Sequence, residues 1–416
     1  MAAVRIESLS HGPHAIVRIQ GKVHLVRGGA PGDLAEIEVT EDKGRFSYAR
    51  ITRLVKSGPA RRDAPCPFLP RCGGCSWQHL NEQAQREAKT ATVREAFAKA
   101  GLGDAAVAPV RATPHTLGYR RRLSLRVAAK EVGFFAGGTH DLIPVDECLL
   151  GAPPLRGAIA MARRWVRMLD STLNRIELAW TGEDDRIALI GQCDGPLADG
   201  DRSVSEHLLR DERRLATVIL HGKGFHHVLG EDRIRVALPE DELQLRAGAF
   251  SQVNDGGNHI IIQTMLELAE LDSTTRVADL YAGAGNLSIP LARRAGAVVA
   301  IERDRRGVEA LLANAERLGL TNLEARAAHV HRCLRKVAPA TFDLIVLDPP
   351  RSGAADSMNE LRRIAPHRIV YVSCNPQTLA RDLATLADDY SLDAIQPIDL
   401  FPQTPHVEVV TRLTLR

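Results

Sequence analysis

The chain has 416 residues, of which 44% are hydrophobic and 25% charged, with a formal net charge of +3. That length allows two or three domains at roughly 100–200 residues each. The composition excludes wholesale disorder, a collagen and a disulfide-stapled miniprotein.

No uncharged apolar run reaches the roughly 18–20 residues that span a bilayer. The N-terminal Met1-Ala2-Ala3-Val4-Arg5 lacks the basic region and long apolar core of a signal peptide. The expected compartment is cytoplasmic, with no membrane partner. Charge is unevenly spread: residues 1–130 hold 22 Lys/Arg against 11 Asp/Glu, and the remaining 286 hold 32 against 40. A basic front suggests a polyanion partner, with a solvated basic surface as the plainer reading.

In chain order, residues 4–55 show short alternating apolar runs broken by Gly and Pro, the pattern of a small β-barrel. Lys56-Ser57-Gly58-Pro59 reads as a linker. Residues 60–77 are Cys- and Pro-rich, and 79–100 read as one polar helix. Residues 111–250 are mixed and strand-rich, with a helix at about 154–169. From 256 the rhythm changes. Helices over 259–271, 287–294 and 307–318 alternate with strands at 277–280, 298–301, 342–347 and 368–372. That alternation predicts a parallel, doubly wound sheet.

Seven cysteines are an odd number, and Cys66, Cys72 and Cys75 lie within ten residues. Such clustering in a cytosolic chain points to metal or catalysis, not disulfides. Cys193 and Cys333 read as small buried residues.

Asp279-Leu280-Tyr281-Ala282-Gly283-Ala284-Gly285-Asn286 joins a buried strand to a helix. Its glycines allow a tight turn and close backbone approach to a ligand. Glu302 ends the next strand, where an acid can bind ribose hydroxyls. Ser288 stands where a dinucleotide fingerprint has its third glycine. This favours a nucleoside-bearing ligand without a pyrophosphate, such as S-adenosylmethionine. The plainer reading is an ordinary strand–helix turn.

Three further segments share that crevice in a doubly wound sheet: Asp348-Pro349-Pro350-Arg351, Ser373-Cys374-Asn375-Pro376 and Phe401-Pro402-Gln403-Thr404-Pro405-His406-Val407-Glu408. Ligands there sit beyond the carboxyl ends of the strands. A thiol ahead of a helix can have a lowered pKa and act as a nucleophile.

Together these segments resemble the RNA 5-methyluridine methyltransferases that use S-adenosylmethionine. The resemblance covers nearly the whole chain. It is nearest to the branch with an N-terminal TRAM domain and an iron–sulfur cluster, known from large-subunit ribosomal RNA. It implies a multidomain protein: a TRAM-like, OB-like barrel over 1–58, a mixed α+β central domain with a four-Cys site over 59–249, and a Rossmann-like α/β methyltransferase domain over 250–416. In the family the helix after the cluster often packs on the catalytic domain, which here concerns residues 78–110.

The resemblance also implies a mechanism. Uracil C5 is a poor nucleophile towards a sulfonium methyl. Addition of the Cys374 thiolate at C6 makes C5 enolate-like. Glu408 then removes the C5 proton so that Cys374 is expelled. Asp348 holds the pyrimidine or the nucleophile loop. The target base must leave its stack. For the methyl donor the pattern carries over to Gln252, Tyr281, Gly283, Gly285, Asn286, Glu302 and Asp348, with His329 near the adenine.

Cys66, Cys72 and Cys75 are joined in the family by a later Cys, here Cys148. Four thiolates suit a four-iron, four-sulfur (4Fe-4S) cluster, and they also suit zinc. The five residues between Cys66 and Cys72, and a fourth protein ligand, argue against radical chemistry. The cluster therefore reads as structural or RNA-positioning.

The barrel's Arg45, Phe46, Tyr48 and Arg50 interleave cations with aromatics, as nucleic-acid-binding barrels do. Arg120, Arg121 and Arg122 follow Tyr119 and are expected on phosphates. The expected partner is RNA, ribosomal before transfer RNA. Two other classes remain: a nicotinamide dehydrogenase on the same sheet, and a non-catalytic iron–sulfur RNA-binding protein.

Overall fold

The computed structural model describes residues 3–416. The N-terminal strands Val4–Arg5, Ser8–Leu9, His14–Ile19, Lys22–Arg27, Leu34–Asp42 and Phe46–Lys56 form one sheet. Their alternation buries Ala15, Val17, Val26, Ala35, Ile37 and Ala49 together. The first segment closes the sheet on itself. Val4 and Arg5 pair with Ala35 and Leu34 at one edge, and Ser8 and Leu9 pair with Ile16 and Ala15 at the other. The expected linker is not loose. Fully buried Asp33 accepts the Gly58 N–H at 2.9 Å and the Arg61 guanidinium at 2.6 Å. Gly58 is needed there, because a Cβ would lie 2.4 Å from the Gly32 carbonyl carbon.

The central region holds a seven-stranded sheet. Its order is Phe225–Gly230, Leu215–Gly222, Ile187–Cys193, Leu173–Trp180, Arg122–Ala128, Glu131–Phe135, Leu142–Pro144. Helices Ala158–Met168 and Asp201–Asp211 pack on its apolar face through Trp165 and Leu208. The helix expected at 154–169 starts later. Pro153–Leu155 is a separate 3-10 turn, and left-handed Gly157 lies between them.

The C-terminal sheet runs Leu323–Ala327, Ala297–Glu302, Arg276–Leu280, Leu344–Leu347, Arg368–Ser373, Glu408–Leu415, Tyr390–Ile398. The first five strands are parallel, as expected. Only one of the last two is reversed: Glu408–Leu415 pairs antiparallel with both neighbours, so Tyr390–Ile398 runs with the first five. The physical reason is length. Residues 399–407 join Tyr390–Ile398 to Glu408–Leu415, and a parallel crossover needs a dozen or more residues.

The helix Glu82–Lys99 starts at Asn81, whose side chain accepts the Ala84 N–H at 2.9 Å. Its Val93, Ala96 and Phe97 enter the core formed by Tyr371 and Leu379 on the C-terminal sheet and its helix Pro376–Ala384. Beyond it, Ala108 and Arg111 donate backbone N–H groups to Ile395 and Pro397 of the edge strand. Thus 82–111 packs with the C-terminal sheet although it follows the cysteine-rich segment. The hairpin Arg233–Ala237/Glu242–Arg246 joins a second core of the C-terminal sheet, with Val277, Val298 and Val370, through Val236 and Leu243.

Lys89 is fully buried on this helix. Its ammonium pairs with Asp399 and donates to the Phe401 carbonyl at 3.0 Å. Burial pulls its pKa down, and Asp399 opposes that. Removing one member of such a pair strands the other charge, which costs about 3–5 kcal/mol. Lys89→Ala is therefore expected to lose stability on that scale in urea unfolding. The double change with Asp399→Ala should recover part of the loss.

Candidate active site

Three chemical side chains meet at one edge of the C-terminal sheet. Cys374 follows Arg368–Ser373, and Asp348 follows the parallel strand Leu344–Leu347, paired through Leu347 and Tyr371. Glu408 opens the antiparallel strand, and the Ser373–Val409 pairing sets it opposite Cys374. The loop after Arg276–Leu280 opens on the same edge, where ligands bind in such sheets.

Glu408 is buried, and Asp348 and Cys374 beside it are half-buried. Burial pushes Asp348 up to about 7, and burial followed by the Asp348 charge pushes Glu408 well above the usual carboxylate range. The Cys374 thiol differs from the expectation of a lowered pKa. Burial, then Glu408 and Asp348, push it up to about 11, and Arg351 opposes only in part. Two carboxylates outweigh one guanidinium and the helix that begins at Pro376. The thiolate fraction should therefore keep rising with pH. In the free protein, iodoacetamide alkylation of Cys374 is expected to speed up about tenfold per pH unit from 7 to 10, read by mass spectrometry.

The loop that carries Cys374 is braced. Asn375 caps helix Pro376–Ala384 through the Gln377 N–H at 3.1 Å and donates to the Arg351 carbonyl at 3.2 Å. Buried Asp382 accepts the Tyr371 hydroxyl at 2.8 Å and the Ala354 N–H at 2.7 Å. Asp348-Pro349-Pro350-Arg351 and Ser373-Cys374-Asn375-Pro376 are thereby fixed to each other.

In the glycine loop, Tyr281, Gly283 and Gly285 are left-handed, with φ of 63°, 55° and 99°. The Glu302 carboxylate accepts the Gly283 N–H at 2.9 Å and the Asp304 N–H at 2.7 Å. Tyr281 turns its hydroxyl to within 3.5 Å of Ser357 and packs against the core. Asn286 is already engaged in a reciprocal amide pair with buried Asn258, at 2.8 and 2.9 Å. Gln252 is half-buried in the segment before helix Asp255–Ala269. His329 is exposed at the same edge, next to Ala328, whose N–H bonds the Glu302 carbonyl at 2.8 Å. Asp279 was not singled out by sequence. It is buried at the foot of the glycine loop and pushed up to about 7 by burial, and its Oδ1 has no partner.

Sequence reasoning also missed Gln403. It is fully buried with a φ of 70°. Its Oε1 accepts from Arg62 at 2.8 Å and from Gln85 at 3.0 Å, and its Nε2 donates to the Thr116 carbonyl at 3.2 Å. Its backbone carbonyl accepts the Ser76 and Trp77 N–H groups, and its N–H bonds Gln85 Oε1 at 2.8 Å. One residue thus ties the cysteine-rich segment and helix Glu82–Lys99 to the loop that ends in Glu408. Only its place in Phe401-Pro402-Gln403-Thr404-Pro405-His406-Val407-Glu408 signalled it. Gln403→Ala should lower methyl transfer at least about tenfold, the scale of a displaced reacting group. S-adenosylmethionine affinity, followed by calorimetry, should stay unchanged.

Cys66, Cys72, Cys75 and Cys148 line one cavity of about 190 Å³, with Gln78 and Arg120 on its wall. Burial pushes Cys75 up to about 12 and also raises Cys72 and Cys148. Among the described residues, no three His, Cys, Asp or Glu side chains form a site for a single metal ion. Arg27 of the barrel reaches this region, donating to the Gly137 and Pro70 carbonyls at 2.8 and 3.0 Å.

The three-arginine run does not face solvent as a comb. Arg121 is 2% exposed and bonds Asp255 at 2.9 Å and the Trp180 carbonyl at 3.3 Å. An extended chain sends alternate side chains to opposite sides, so Arg121 locks the central sheet to helix Asp255–Ala269 and is closed to phosphate. Arg120 lies half-buried about 6.0 Å from the Phe401 ring, and Arg122 pairs with Glu177 at 3.5 Å. In the barrel, Phe46, Tyr48 and Arg50 do alternate outward, with Ser47 and Ala49 inward, and Arg45 is exposed. Among the described residues no helix is long and apolar enough to cross a membrane.

Family models agree with this geometry. One described as tRNA (Uracil-5-)-methyltransferase matches residues 208–415, and a TRAM domain model matches residues 2–52. The 23S rRNA (uracil(1939)-C(5))-methyltransferase RlmD of Pectobacterium atrosepticum is 34% identical over 97% of this chain and 92% of its own. The chain belongs to the RNA uracil-C5 methyltransferases. Its Pseudomonas putida relative of the same name is also 34% identical, over the same shares. The Pyrococcus abyssi tRNA (uracil-54, C5)-methyltransferase, solved with S-adenosyl-L-homocysteine, superposes with a TM-score of 0.78. It is 25% identical and matches over 99% of this chain and all of its own. As a member of this family, the protein is an enzyme that methylates RNA uracil at C5 using S-adenosylmethionine.

Proposed function

We propose that the enzyme methylates one uridine of large-subunit ribosomal RNA, with Cys374 as nucleophile and Glu408 as base. The observation that carries this reading is the pairing of Arg368–Ser373 with Glu408–Leu415, which brings thiol and carboxyl to one edge. The Cys374 thiolate adds to C6 of the everted uracil, and the C5–C6 electron pair becomes available at C5. S-adenosylmethionine, when bound, supplies the methyl group that C5 accepts. The Glu408 carboxylate then takes the C5 proton. The C6–sulfur bond breaks, C5–C6 is restored and Cys374 leaves as thiolate. An ordinary carboxylate is a weak base for such a proton, and burial makes Glu408 a stronger one. Asp348, half-buried beside it, holds the pyrimidine or the nucleophile loop.

Gly283, Gly285 and Glu302 fit a nucleoside. The glycines bring the backbone close, and Glu302 ends its strand with a carboxylate for ribose hydroxyls. Gln252, Tyr281, Asn286 and His329 complete the donor's surroundings in this reading. Cys66, Cys72, Cys75 and Cys148 would hold a 4Fe-4S cluster, with zinc as the alternative. A zinc ion draws its sulfurs to about 2.3 Å of one point, and a thiol-lined cavity of about 190 Å³ suits the larger group better. Its work would be structural. Ribosomal RNA is favoured by the names of the relatives at 34% identity, and transfer RNA by that of the Pyrococcus abyssi enzyme.

Labelled S-adenosylmethionine with total RNA, followed by fractionation and nucleoside analysis, tests the reading. Label should appear as 5-methyluridine in large-subunit ribosomal RNA, and label in transfer RNA alone would overturn that choice. Cys374→Ala should abolish transfer. Glu408→Gln should form the C6 adduct but fail to release it, leaving a protein–RNA band that survives denaturing gels. RNA carrying 5-fluorouridine, which has no removable C5 proton, should trap the unaltered enzyme in the same way.

A further inference from the structure

One loop of the barrel reaches the helices of the C-terminal sheet. Residues 10–13 join the strands Ser8–Leu9 and His14–Ile19, and Ser10 shapes the turn. Its N–H and its hydroxyl both donate to the His14 carbonyl, at 2.9 and 2.8 Å, and the hydroxyl accepts the Gly12 N–H at 3.2 Å. The turn holds His11 out from the barrel. His11 Nε2 lies 2.6 Å from Glu95 Oε2, on helix Glu82–Lys99. Its Nδ1 lies 3.3 Å from Gln377 Nε2, on helix Pro376–Ala384. Those two helices pack on each other through Val93, Ala96, Leu379 and Leu383, so one imidazole bridges both.

A single neutral tautomer satisfies both contacts. Its Nε2–H donates to the carboxylate, and Nδ1 accepts from the Gln377 amide. Lys99, 2.6 Å from Glu95, and then His11 hold the Glu95 pKa below the usual carboxylate range, so the acceptor stays ionised. A carboxylate on one ring nitrogen fixes which way the other is aimed. Exposed contacts of this kind contribute little to folding. What His11 governs is position.

Gln377 lies in the first turn of the helix that starts just after Cys374. Its backbone N–H bonds the Asn375 side chain at 3.1 Å. The Asn375 amide and the Thr378 hydroxyl both donate to the Arg351 carbonyl, at 3.2 and 3.3 Å. The Asp348–Arg351 loop thus grips this turn from one side, and His11 grips it from the barrel side. The barrel is itself anchored, because Arg27 donates to the Gly137 and Pro70 carbonyls and buried Asp33 holds Arg61. We propose that His11 is a positioning residue for Cys374, a clamp by which the barrel fixes the first turn of the helix behind the thiol. This rests on the reading of Cys374 as the nucleophile, and it gives the barrel a part in the chemical step.

The rate at which the full-length protein is trapped by ribosomal and transfer RNA containing 5-fluorouridine, at saturating RNA and S-adenosylmethionine, tests it. His11→Ala and Gln377→Ala should each slow formation of the Cys374 adduct about fivefold, the scale one exposed contact can hold. The double variant should be no slower than either. The half-saturating RNA concentration should not move, which separates a clamp from a lost RNA contact. An Asn side chain sets its carbonyl oxygen near the place of Nδ1, so His11→Asn should restore most of the rate. His11→Gln, whose amide reaches towards Glu95 instead, should not. Equal trapping rates for the parent and His11→Ala, losses that multiply in the double variant, or a loss confined to RNA affinity would overturn the clamp alone. A parent that forms no Cys374 adduct would overturn the methylation reading and the clamp with it.

Discussion

The short connection 399–407 governs the active edge. It cannot carry a helix across the sheet, so the chain must turn back and Glu408–Leu415 must enter antiparallel. An antiparallel strand begins where its parallel neighbours end. That reversal delivers Glu408 to the carboxyl edge beside Cys374, from a position 34 residues further along the chain. A parallel last strand would have left Glu408 at the far edge.

So short a loop needs support, and it comes from distant sequence. Lys89 meets Asp399 at one end, and Gln85, Arg62 and the Ser76–Trp77 backbone converge on Gln403 in the middle. The cysteine-rich segment and the helix after it therefore have a role at the catalytic edge as well as beside the barrel. The buried side chains of Lys89, Asp399, Gln85 and Gln403 each have a partner, which the low local dielectric requires. The candidate site groups are treated differently. Glu408, Asp348 and Cys374 share one edge, Arg351 offsets the thiol only in part, and all three are pushed towards their neutral forms. This is stored electrostatic strain of the kind that active sites use to match acids and bases to their task.

The RNA-facing side follows the same logic of alternation. In the barrel, period two sends Phe46 and Tyr48 outward. At Tyr119–Arg122 the same period buries Arg121 between two parts of the molecule. Counting arginines overstates the cationic surface, because a guanidinium with five donors is also a strong internal fastener.

The sequence by itself determined the barrel, the strand–helix alternation from 256 onward and the glycine loop, and its resemblance to a family offered Cys374 and Glu408 as candidates. Each of these is written locally, as period, turn residues or a short motif. Only the tertiary structure decided the reversal of the last strand, the raised thiol, the inward Arg121 and the network on Gln403. Lys89 shares a helical face with Val93, Ala96 and Phe97, so its inward direction was legible; its partner, 310 residues away, was not. The physical reason is that burial and pairing belong to residues brought together by the fold. No local pattern records which side chains will share one edge, and that sharing sets both the charge state of Cys374 and the hold on Glu408.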